Sequence, residues 1–110
     1  MKAIAGLALG AAVAFCTASS AAAADKAEQG AALFTSQKCV MCHSAAGKGN
    51  KKGSLDDAGT RLKADDIRAW LTHPEEMREK TKATRTPAMK DPKLTNDQVD
   101  ALVAFLLAQK

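Results

Sequence analysis

Several things a small chain commonly relies on are missing here. There are three cysteines and two histidines in 110 residues, and no tyrosine. A structural zinc site needs four ligands, usually as two pairs, yet beside Cys39, Cys42 and His43 only His73 remains, across a long gap. No window alternates apolar and polar residues strictly enough to form a strand, so the βαβ setting of a thioredoxin-like dithiol is absent too. The longest apolar run, Ala3 to Phe15, falls short of the ~20 residues a transmembrane helix requires. No nucleophile–base pair and no constellation of carboxylates stands near Cys39. The net charge of +4 is modest and no recognition motif accompanies it, which sets nucleic acid aside as a partner.

What is present begins with a secretory signature. Met1 and Lys2 precede the apolar run, and the small, polar stretch "CTASSAAAAD" follows it. That order predicts a signal peptide over residues 1–24, cleaved after Ala24, with a domain over 25–110 exported to the periplasm. Retention as an anchor is the other outcome. Lipid modification at Cys16 is disfavoured by the bulky Phe15 before it. A mature domain of this length has a marginal core and commonly needs a staple. Cys39 and Cys42 are too close together to join distant parts of the chain, so a large apolar cofactor is the fitting alternative.

The mature part reads as all-α. "DKAEQGAALFTSQK" (Asp25 to Lys38) has Ala27, Ala31, Leu33 and Phe34 at helical spacings, with Gly30 inside at a cost of about 1 kcal/mol relative to alanine. A glycine-rich loop follows, and "ADDIRAWLTHP" then puts Ile67, Trp70 and Leu71 on one helical face, ended by Pro74. A short helix is expected to continue to about Thr81, before Pro87 and Pro92 break the next stretch. "TNDQ", Thr95 to Gln98, is a capping box, and Val99, Leu102, Val103, Leu106 and Leu107 follow it at i, i+3, i+4, i+7 and i+8.

The chemistry concentrates in "KCVMCHS", Lys38 to Ser44. Two cysteines one helical turn apart point to the same side and can add to the two vinyl groups of one porphyrin. His43 follows at once and can bind the iron from the proximal side. C-x-x-C-H is the spacing used for covalent haem attachment, and export supplies the setting in which attachment occurs. Cys39 and Cys42 are therefore expected as haem c thioethers and His43 as an axial iron ligand.

With "GAALFTSQKCVMCH" at one end, "TPAMK" further on and "LTNDQVDALVAFLLAQK" at the other, the chain resembles the class I c-type cytochromes, the small bacterial monohaem kind. The resemblance implies three to four helices wrapped around one covalently bound haem, with the N- and C-terminal helices crossing. It also implies that a glycine of the first helix admits an aromatic of the last; those positions are Gly30 and Phe105.

For the second axial ligand the candidates are Met41, Met77, Met89 and His73. Met41 lies within the attachment motif, on the wrong side of the ring. Met89 sits in "RTPAMKDP", where two prolines stiffen an irregular segment, and the resemblance implies a methionine ligand after a proline shortly before the last helix. A Met/His pair raises the haem potential. His73 would instead give a bis-His haem, and Met77 or an open position remain as further readings. Trp70 is expected to pack against the haem.

Two basic runs, one with Lys38, Lys48, Lys51 and Lys52 and one with Lys80, Lys82, Arg85 and Lys90, flank these segments. They suggest a positive rim that steers redox partners with acidic docking faces. The expectation is a monomeric one-electron carrier, not an enzyme, without stable membrane insertion once the signal is removed. The alternatives are a haem ligand-binding or peroxidatic protein with an open sixth position, and a cytochrome subunit of a larger oxidoreductase.

Overall fold

The computed structural model describes residues 10–12 and 18–110, so most of the expected signal segment lies outside the described residues. Among the described residues five α-helices follow in order: α1 (Ala18–Ser36), α2 (Ala58–Arg61), α3 (Ala64–Thr72), α4 (Pro74–Thr81) and α5 (Asn96–Leu107). Tight 3-10 turns occupy Cys39–Met41 and Lys51–Gly53. The fold is all-α apart from one ladder of two short strands, β1 (Ser44–Ala45) and β2 (Lys48–Gly49).

That ladder corrects the expectation of a strand-free domain. Ser44 pairs with Gly49 and Ala45 with Lys48, in antiparallel register. The two residues between the strands, Ala46 and Gly47, both have left-handed backbones (φ 52° and 77°), the conformation of a type I′ hairpin turn. Alanine seldom adopts it, so the local sequence announces only a loop.

α1 begins earlier than the expected helix at Asp25–Lys38 and runs unbroken through Ala24 and Asp25. It stops at Ser36, and Lys38 turns left-handed (φ 60°) to redirect the chain. α3 buries Ile67 and Leu71, and the Asp66 carboxylate accepts the Lys63 N–H at 3.0 Å across its first turn. Pro74 follows the end of α3, as expected, and is itself the first residue of α4, where its missing N–H costs nothing. The four-residue α2 lies inside the glycine-rich stretch, where no helix was expected.

α5 follows its sequence pattern closely. Thr95 Oγ1 accepts the Gln98 N–H at 3.2 Å while Gln98 Oε1 accepts the Thr95 N–H at 2.9 Å. Its buried face carries Val99, Leu102, Val103, Phe105 and Leu106. α1 packs chiefly against α5. The rings of Phe34 and Phe105 meet there at 5.6 Å and 54°, a tilted aromatic pair. Gly30 makes the approach possible. A Cβ on it would collide with the Ala101 carbonyl oxygen and stand 2.6 Å from Phe105 Cβ. The Asp100 carboxylate ties three helices at the surface, 2.7 Å from Arg68 of α3 and 3.7 Å from Lys26 of α1.

The segment after α5 also reaches back. The Gly59 N–H in α2 donates to the Gln109 carbonyl at 2.7 Å, and the absent side chain of Gly59 leaves room for the Leu107 carbonyl. α2 is thereby pinned against α5, with its first residue, Ala58, fully buried.

Candidate functional site

The left-handed turn at Lys38 ends α1 and opens the 3-10 turn Cys39–Met41. The N–H groups of Cys42 and His43 both donate to the Cys39 carbonyl, at 3.1 and 2.9 Å. This tight winding sends Cys39, Cys42 and His43 to one side, and all three line the same cavity. Met41 points the other way and is 68% exposed.

The cavity measures about 730 Å³, within the roughly 300–1,000 Å³ of pockets that take up organic ligands. Its apolar wall comes from Phe34, Ile67, Leu71, Leu102 and Leu106, so α1, α3 and α5 present to it the same faces that build the core. Trp70 lines it as well, half-buried.

His43 is held by a backbone partner. Its Nδ1 lies 2.9 Å from the Gly53 carbonyl oxygen. A carbonyl only accepts, so Nδ1 carries the proton and Nε2 keeps its lone pair. Burial pushes the imidazole pKa down; the Gly53 hydrogen bond opposes that, and the charge of Arg85 adds to the depression. The ring is thus neutral at physiological pH, the form that binds a metal. Burial likewise pushes the Cys39 thiol up, against its backbone hydrogen bond and with a further rise from Cys42. Cys39 and Cys42 are both free, and Cys42 is exposed.

The loop that supplies the Gly53 carbonyl is tied to the attachment turn. The Asn50 N–H lies 3.0 Å from both the Val40 and His43 carbonyls, and the Asn50 side chain donates to the Met41 carbonyl at 3.2 Å. Buried Ser44 donates to Asp56 at 3.2 Å, and Ser54 donates to the same carboxylate oxygen at 2.8 Å. Sequence reasoning missed this arrangement. Gly53 showed itself only as a loop glycine, and a carbonyl has no side chain by which to be recognised.

Of the other expected candidates, Met89 lines the cavity, half-buried and packed against the core. Met77 is buried but does not line it. His73 is exposed, with Nδ1 2.8 Å from the Thr72 hydroxyl, in a separate surface hollow beside Glu75, Glu76 and Asp91. Cys39, Cys42, His43 and Met89 therefore converge on one cavity, and Met41, Met77 and His73 do not.

The charge around the cavity has one sign. Lys38, Arg61, Arg78, Arg85 and Lys90 line it, Arg61 paired with Asp57 at 2.8 Å, and among the described residues none that lines it is acidic. Arg61 and Arg78 were not counted in the two basic runs, whereas Lys48, Lys51 and Lys52 stay on the exposed loop.

The cytochrome c family model matches residues 27–110. The chain belongs to the cytochrome c family. Searches among curated proteins and among solved structures each found no match. As a member of the family, this cytochrome carries covalently bound haem c with its iron and takes part in haem-based electron transfer. The cavity fits that cofactor on its own evidence. It offers two thiols one turn apart, an imidazole with Nε2 free, apolar walls for the porphyrin faces, and cations without acids to meet two carboxylates. Among the described residues no helix is long and apolar enough to cross a membrane.

Proposed function

We propose that this cytochrome is an exported, periplasmic one-electron carrier that shuttles electrons between redox partner proteins, freed of residues 1–24. In this reading Cys39 and Cys42 form the thioethers, His43 is the proximal ligand through Nε2, and Met89 is the distal ligand. The haem, when bound, supplies the one-electron iron couple. The chain's part is to fill both axial positions, exclude water and leave an edge accessible. The observation that carries the reading is the convergence of Cys39, Cys42, His43 and Met89 on one cavity, with His43 Nδ1 committed to Gly53.

At the attachment turn Cys42 is exposed and Met41 projects into solvent, so a bound haem would present its accessible edge there. Lys38 stands beside it, and the other lining cations continue the positive field around the mouth. Such a field raises the on-rate for a partner with an acidic face and loses that effect as salt is added. The protein acts as a monomer that docks transiently.

The test is the visible spectrum of the purified holoprotein, ferric and then ferrous, beside Met89→Ala. The carrier reading expects a low-spin ferric spectrum with the weak far-red band of methionine ligation, which Met89→Ala loses together with a fall in midpoint potential. A low-spin spectrum lacking the band would move the ligand to His73. A high-spin spectrum that responds to an added small ligand would mean an open iron and a ligand-binding or peroxidatic role.

A further inference from the structure

The segment that carries Met89 is weakly tied. It runs from the left-handed Lys82 at the end of α4 to the cap Thr95 of α5, and its fixed points lie at its two ends. At one end Ala83 N–H donates to the Arg78 carbonyl at 3.1 Å; near the other, Lys93 N–H donates to the Asp91 carboxylate at 2.8 Å. Between them, residues 84–90 make no hydrogen bond within the described residues. Met89 therefore sits on a stretch whose backbone groups make no hydrogen bond among the described residues, and it lines the same cavity as His43.

A contact joins this segment to the loop that holds His43. The Arg85 guanidinium lies against Gly53, whose carbonyl holds His43. A Cβ at position 53 would collide both with Arg85 Nη1 and with the Cys42 carbonyl oxygen, and would stand 2.7 Å from Arg85 Cζ. Only glycine leaves this notch, and the planar guanidinium packs into it. None of the described ion pairs involves Arg85.

We propose that Arg85 is a positioning residue: a strap that reaches from the Met89 segment into the Gly53 notch and keeps Met89 within reach of the iron. This rests on Met89 being the distal ligand. The strap closes the unbonded stretch against the proximal loop, so detaching Met89 from the iron first requires Arg85 to leave the notch. Its positive charge in the cavity lining would also favour the ferrous form of a bound haem, which carries one positive charge less.

The experiment follows imidazole binding to the ferric holoprotein by stopped-flow, since entry of imidazole requires Met89 to leave. Wild type, Arg85→Gln and Lys80→Gln are compared, Lys80 being an exposed cation of the same basic run that does not line the cavity. The strap predicts imidazole binding about tenfold faster in Arg85→Gln, corresponding to about 1.4 kcal/mol, with the far-red band lost at a lower temperature and a lower midpoint potential. Lys80→Gln should stay at the wild-type rate. A wild-type spectrum with the far-red band and an Arg85→Gln rate within twofold of wild type would overturn the strap alone. Equal acceleration in Lys80→Gln would also overturn it, because general loss of positive charge would then suffice. A wild-type spectrum without the band would overturn the Met89 assignment and the strap with it.

Discussion

Gly30→Ala sets two effects of known sign against each other. Replacing glycine by alanine inside a helix gains about 0.8–1 kcal/mol of helix propensity. Here the new methyl would enter the α1–α5 contact, colliding with the Ala101 carbonyl oxygen and standing 2.6 Å from Phe105 Cβ and 2.7 Å from the Ala101 carbonyl carbon. Two of those three atoms are α5 backbone, and Cβ of Phe105 moves only with it, so no rotamer change can relieve the contact. The helices must part. Overpacking of this kind costs about 1–3 kcal/mol. Separation also loosens the Phe34–Phe105 pair, of a type contributing about 0.5–1.5 kcal/mol. Setting the propensity gain against these losses leaves a net destabilisation of roughly 1–3 kcal/mol. For a domain of this size that is a fall in Tm of roughly 5–20 °C. Thermal unfolding of the ferric holoprotein, followed by circular dichroism, measures it. Ala32→Gly, at an exposed position of α1, is the reference for propensity alone and should cost about 1 kcal/mol. A Gly30→Ala protein melting at or above the wild-type temperature would refute the packing argument.

Three further outcomes follow from the same structure. Thr95→Ala removes the acceptor for the Gln98 N–H and should cost about 0.5–2 kcal/mol in denaturant unfolding, with the spectrum unchanged. Cys42→Ser should leave a haem held by one thioether, seen as a shifted band in the pyridine haemochrome of the alkali-treated protein. The hydrogen bond from Arg68 holds the Asp100 carboxyl below its usual value, so its contribution to stability is in place above the ordinary carboxylate range and is lost as pH falls through the lowered value. Asp100→Asn should therefore flatten that part of the acid limb in a plot of stability against pH, leaving the neutral limb lower.

What could be read in the sequence was what is local. α5 was legible because its cap and its apolar period are both written within a few turns of chain. Gly30 was legible as an anomaly, a helix breaker inside a helical pattern, and the structure supplies its cause in the closeness of α5. The convergence of Met89 with the attachment turn was suggested by its prolines and by likeness to a family. What escaped had no local signature. The hairpin at Ala46–Gly47 depends on an alanine in a conformation alanine rarely takes, and α2 is too short for its period to register. The Gly53 carbonyl acts through backbone. Arg61 and Arg78 join the cationic lining only because α2 and α4 fold over the same cavity, an adjacency that spacing along the chain does not encode.

The bond from Gly59 to Gln109 makes one backbone proton an informant on the whole domain. Gly59 N–H can exchange with solvent only when the segment beyond α5 lifts from α2, and α2 carries Ala58, part of the cavity lining. A deuterium clock started at that amide therefore times the breathing of the cavity wall. A variant that loosens the α1–α5 contact would announce itself there before any change of colour.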